Sequence, residues 1–141
     1  MKPHILLRTA SALTLIHALL NSFAGLLSGT SSNPKEVAIL DAMKALRFDA
    51  MGSMRTYWDF YFGFGLFLTV SLLGLSVQMW LLATLVKTHP AMARPFIGWL
   101  CLGFLVFAVL SSLYFFIAPI IIEVTIALLL ALTYVSSQND A

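Results

Sequence analysis

From Pro95 to Val135 the chain is one apolar run, broken chiefly by Ser111, Ser112, Pro119 and Glu123. As a single helix it would be about 60 Å long at 1.5 Å per residue, twice the roughly 30 Å hydrocarbon core of a bilayer. The run therefore has to fold back on itself. Pro119 marks the turn, because proline suits the start of a helix and disfavours helix at the residue before it. The pattern predicts one helix over about 95–116 and another over about 119–135. The hairpin between them carries almost no polar residue and is expected low among lipid headgroups.

Two more apolar stretches precede this pair. The first, Ile5 to Leu27, follows Lys2 and carries Arg8 near its start. It exceeds the 7 to 15 residues or so of a secretory h-region and holds His17 and Asn21 in its middle, so it reads as a retained helix. The second, Tyr57 to Val86, spans roughly 45 Å of helix and must tilt or project beyond the hydrocarbon. Only 10% of the residues are charged and 60% are hydrophobic, against about 25% charged in soluble domains. One small core cannot hide that apolar excess. The predicted fold class is all-α: an integral membrane four-helix bundle forming one transmembrane domain over residues 1–141.

The long connection, Ser28 to Thr56, is polar and predicts a short amphipathic helix over about 34–48. Asn33 can cap it, Pro34 takes the first helical position, and Glu36 stands where a capping-box partner reaches back. Ile39, Met43, Leu46 and Ala50 then fall largely opposite Asp41, Lys44 and Arg47. Such a helix lies on the membrane or plugs one mouth of the bundle.

A formal charge of +2 is too small for a nucleic-acid partner, which needs a concentrated basic face. Cys101 is the lone cysteine, so neither a disulfide nor a thiolate metal site follows. No metal or cofactor set and no soluble-enzyme motif appears. With four spans, each side of the membrane receives four basic residues. Lys2, Arg8, Lys87 and Arg94 lie nearest span ends, which favours cytoplasmic termini in a bacterial cytoplasmic membrane.

Few polar residues lie at membrane depth. His17 and Asn21 share a helix face with Thr14 and Gly25, which should turn towards other helices. The face serves either interhelical hydrogen bonding or contact with a ligand or proton. Glu123, flanked by Ile120, Ile121, Ile122 and Val124, lies beyond the first turn where a carboxylate simply caps. Its partner is a cation such as Arg8 or Arg55, or it marks an interfacial position near the low hairpin, or it is an inward acid with a function of its own. Thr56 to Asp59 has capping-box spacing, with Arg55 one turn from Asp59. Trp58 stands among Tyr57, Tyr61 and Phe62 as in an interfacial aromatic belt; the same cluster would suit an amphiphile's polar head. Pairs of small residues, Ala18 with Ser22, Gly25 with Gly29, and Ala127 with Ala131, allow close helix approach, and Gln78 is a candidate interhelical donor.

The run Met51-Gly52-Ser53-Met54-Arg55-Thr56-Tyr57-Trp58-Asp59-Phe60-Tyr61-Phe62-Gly63-Phe64-Gly65-Leu66, with the N-terminal helix and the final hairpin, resembles a family of small four-helix bacterial membrane proteins. The resemblance implies the architecture and brings no activity. The chain departs from that family in having Asn21 where a second histidine is expected, which weakens a paired-histidine metal site. At the level of architecture it is also similar to EXPERA-type sterol isomerase and sterol-binding proteins, and more loosely to DoxX-like proteins; no catalytic residue transfers from either.

These features lead to an expected intramembrane cavity for a lipid-like or isoprenoid-like molecule, bordered by His17, Asn21, Arg55, Trp58, Asp59 and Glu123. Two alternatives stay open. One is an acid–base enzyme of isomerase type using Glu123 and His17; the other is an accessory subunit of a larger membrane complex, or a homo-oligomer without chemistry. Membrane lipid is an expected partner in all three.

Overall fold

Each long helix begins where proline or a capping side chain supplies what the first turn lacks. A computed structural model of the chain describes residues 2–23 and 32–138. Helix α1 (Pro3–Leu20) opens with proline at its first position and continues into a π turn over residues 21–23. The expected end of this span at Leu27, together with Gly25 and Gly29, lies outside the described residues. Helix α2 covers Pro34–Ala45, and the Asn33 side chain caps it by accepting from the Lys35 N–H. Glu36 Oε1 accepts from the Asn33 side-chain amide at 3.4 Å.

The sequence reading carried α2 on to residue 48. Instead the helix stops at Ala45, and a hairpin follows: β1 (Arg47–Ala50) pairs antiparallel with β2 (Ser53–Thr56). Its two-residue loop has positive φ at both positions, 55° at Met51 and 85° at Gly52, the geometry that matches the strands' right-handed twist. Asp49 Oδ1 accepts the Gly52 N–H at 2.6 Å. A turn that suits both strands therefore overrides the helical spacing of Leu46 and Ala50.

Helix α3 (Tyr57–Thr88) starts on the reciprocal cap expected at Thr56 and Asp59: the Thr56 N–H donates to Asp59 Oδ2 at 2.8 Å, and the Asp59 N–H to Thr56 Oγ1 at 3.1 Å. Helix α4 begins at Pro90, five residues ahead of the expected Pro95, and runs to Tyr114. Pro90 fills the first position, and Pro95 is held inside the second turn. Helix α5 (Ile117–Ser136) likewise starts two residues before Pro119, leaving that proline within the first turn, where it removes no helical bond. The described residues thus form five α-helices and one two-stranded hairpin. Four helices, Pro3–Phe23, Tyr57–Thr88, Pro90–Tyr114 and Ile117–Ser136, are long and apolar enough to cross a membrane, which fits a multi-pass membrane protein.

The chain forms two compact units. The first, Met1–His17 with Leu72–Ala141, draws on all four long helices. Its buried positions recur at intervals of three and four residues: Leu72, Ser76, Met79, Ala83 and Val86 on α3; Ala93, Ile97, Leu100, Phe104, Ala108 and Ser111 on α4. This is the stripe by which helices pack side by side. Outside it, Phe96, Trp99, Leu102, Ile121, Leu128 and Leu132 are exposed. Gln78 falls off the α3 stripe and is exposed; Ser76, on the stripe, supplies the interhelical hydrogen bond expected of it. The second unit, Ala18–Ser71, contains α2 and the hairpin. There Phe48 packs on Tyr57 and Phe60, with ring centroids 4.9 and 5.5 Å apart.

Candidate functional site

Within the first unit, the spacing of Ser11, Thr14 and His17 places all three on the buried side of α1. Ser11 and Ser76 clasp each other: Ser11 Oγ donates to the Ser76 carbonyl at 2.8 Å, and Ser76 Oγ to the Ser11 carbonyl at 2.9 Å. Thr14 Oγ1 donates to the Ala10 carbonyl at 2.8 Å, one turn back. These hydroxyls are satisfied by backbone, as buried polar groups normally are. His17 is not.

The imidazole of His17 meets Glu123 of α5, with Nε2 and Oε1 4.0 Å apart. His17 is 6% and Glu123 4% exposed. In such surroundings neither group can carry a charge alone without a large desolvation penalty, and each is the other's counter-charge. Yet 4.0 Å exceeds the roughly 2.7–3.2 Å of a direct hydrogen bond. An oxygen about 2.8 Å from both atoms would bridge the gap. Two further atoms of the pair, His17 Nδ1 and Glu123 Oε2, are buried without a hydrogen-bond partner among the described residues. The Ser111 hydroxyl, buried on α4, is the polar neighbour of the carboxylate.

The arrangement therefore offers an imidazole that can donate or accept, a carboxyl group that can do the same when protonated, and on each a buried atom without a hydrogen-bond partner among the described residues. Helix α5 sets the carboxyl in its second turn, past the backbone amides that need a cap, so Glu123 is free to serve a side chain or a bound group. Arg8 and Arg55, weighed from sequence as partners of Glu123, are engaged elsewhere. The Arg8 guanidinium lies over the Trp80 ring, and Arg55 Nη1 donates to the Met54 carbonyl.

The other candidates have local partners in the second unit. Asn21 Nδ2 donates to the Gly65 carbonyl at 3.1 Å and to Thr69 Oγ1 at 2.9 Å, and Ser22 Oγ meets the same Thr69 hydroxyl at 3.1 Å. Asn21 thus makes interhelical hydrogen bonds, one of the two roles open to the face it shares with His17. The Asp59 carboxylate is engaged in the α3 cap. The Trp58 ring carries Lys44 Nζ 4.9 Å from its centroid and stacks with Phe62. The structure brings together His17 and Glu123, and gives Asn21, Arg55, Trp58 and Asp59 their own hydrogen-bonding or stacking neighbours. Among the described residues no three histidine, cysteine, aspartate or glutamate side chains gather as a metal set.

Sequence reasoning missed Ser111 as a neighbour of Glu123, having treated it only as an interruption of an apolar run. The signal was there: Ser111 continues the three-and-four spacing of Phe104 and Ala108. Cys101 finds a plain role, its Sγ 3.4 Å from the Ala127 carbonyl between α4 and α5.

No family model, curated protein or solved structure matches this chain. A functional reading rests on the geometry of the pair.

Proposed function

We propose that this chain spans a membrane four times and binds, at the His17–Glu123 pair, a hydrophobic molecule bearing a small polar group. The observation that carries this reading is a pair of buried atoms, His17 Nδ1 and Glu123 Oε2, that have no hydrogen-bond partner among the described residues. A site lined mostly by apolar side chains, with a few convergent polar groups to orient its occupant, is the usual make-up of a small-molecule site. A buried polar atom left unmatched costs about 1–3 kcal/mol, and a hydroxyl or carbonyl of a bound molecule would recover that loss. The apolar surroundings favour the lipid-like or isoprenoid-like class, and the basic span ends favour termini on the cytoplasmic side of a bacterial cytoplasmic membrane.

Glu123→Gln tests it on the full chain in mild detergent. Glutamine keeps the size of the side chain, and His17, unlike an arginine, can become neutral when its partner loses charge. The thermal melt is therefore expected to stay near that of the parent, while apolar material released on denaturation and identified by mass spectrometry falls. A variant with unchanged melt and unchanged bound material overturns the reading.

The 4.0 Å approach of the two side chains favours one second reading. Acid and base this close can pass a proton to and from the same apolar substrate, as in double-bond isomerisation. Deuterium from solvent would then enter the bound molecule; a molecule retained without exchange leaves binding alone.

A further inference from the structure

The first unit gathers basic groups at the end where α1 begins, α3 ends and α4 starts. Lys2, just ahead of α1, Arg8 of α1 and Lys87 of α3 all act through their charges on the His4 imidazole, so the four side chains share one electrostatic neighbourhood. Arg94 adds a further cation at the start of α4. Among the described residues of this unit the one carboxylate is Glu123, and it lies far from this end. A rise of about 16 Å along α5 separates it from Tyr134, the residue that Arg94 covers.

Two arginines here are held in place by aromatic rings. The Arg8 Cζ stands 4.9 Å from the centre of the Trp80 ring, and the Arg94 Cζ 4.8 Å from that of Tyr134. Stacking fixes the plane of a guanidinium and leaves its N–H edge free to donate, the disposition that suits a phosphate. Arg94 Nε is buried and has no acceptor among the described residues. Like charges held together, with no carboxylate beside them among the described residues, repel one another, and an anion between them reverses the sign of that interaction.

We propose that this end of the unit, through Lys2, His4, Arg8, Lys87 and Arg94, binds the phosphate of an anionic phospholipid headgroup. The depth of the cluster fits that occupant. From Lys2, just ahead of α1, to Arg8 the rise is about 9 Å, slightly more than the roughly 5–8 Å headgroup layer outside each face of the hydrocarbon core. Basic pockets between helix ends are where such headgroups are recognised on the cytoplasmic side. This proposal is independent of the His17–Glu123 site.

The test is native mass spectrometry of the full chain with phosphatidylglycerol or phosphatidylcholine of identical acyl chains, and with inorganic phosphate. Phosphatidylglycerol is expected to remain bound in preference to phosphatidylcholine. Each basic residue near a membrane surface accounts for about fivefold in affinity, so Arg8→Gln with Lys87→Gln should weaken phosphatidylglycerol by roughly thirtyfold. Arg8→Lys with Lys87→Arg should retain most of the preference. Should the first double variant not fold, Lys2→Gln with Lys87→Gln replaces it, since both side chains are exposed. Equal retention of the two lipids, or a preference untouched by charge removal, overturns the proposal. Displacement of the lipid by inorganic phosphate at equal concentration also overturns it, in favour of a free anion.

Discussion

A buried histidine and glutamate that fall short of direct hydrogen bonding are a poor way to hold helices together. Nearby, Ser11 and Ser76 join α1 to α3 with both hydroxyls satisfied, whereas the His17–Glu123 pair leaves two atoms unmatched among the described residues. Leucine at both positions removes every unmatched atom at similar volume, and replacing a buried polar pair in this way is often neutral or stabilising by about 1–4 kcal/mol. His17→Leu alone leaves the carboxyl without its base and should cost about 1–3 kcal/mol. The double variant His17→Leu with Glu123→Leu is thus expected to be more stable than the single one, by thermal melts in detergent. A double variant whose losses simply add would show that the pair supports the fold.

At the scale of elements, the hairpin holds the clearest local strain. Met51 adopts φ 55°, a conformation costing a side-chain-bearing residue roughly 1–2 kcal/mol, and asparagine tolerates it far better. Met51→Asn should tighten the turn by about 1 kcal/mol. Slower hydrogen exchange of the β1 and β2 amides would report it, and unchanged exchange would count against it. The same segment marks where sequence reasoning stopped. The starts of α2 and α3 were legible, because Asn33 and the Thr56–Asp59 box are chemical features of single residues and their caps form, whereas α4 and α5 begin ahead of the prolines, Pro95 and Pro119, that were read as their first residues. The hairpin was not legible, since Leu46 and Ala50 also fit a helical face and Met51–Gly52 lacks the asparagine or aspartate that usually announces such a turn. Glu123 shows the larger difficulty. Its need for a partner followed from its apolar neighbours, but which partner depends on how α1 and α5 pack, and sequence spacing along either helix carries no record of that.

At the scale of the whole molecule, the four apolar helices make a sided prediction. In the first unit α4 runs from Pro90 to Tyr114, about 37 Å at 1.5 Å per residue, so its two ends must emerge on opposite faces of a bilayer if it spans one. The native Cys101, between them and half-buried, would lie at the depth of the hydrocarbon. In right-side-out membrane vesicles Cys101 is expected to resist a membrane-impermeant maleimide. On a Cys101→Ala background, Phe116→Cys should react from outside, and His89→Cys should react only once the vesicles are opened. The side assigned to His89 follows from the basic residues at that end, which the positive-inside rule retains in the cytoplasm. If the order of labelling is reversed, the helices still span but the termini face the other way. Labelling of both positions from one side would mean that α4 does not cross, and the chain's apolar exterior would then need a protein partner to cover it.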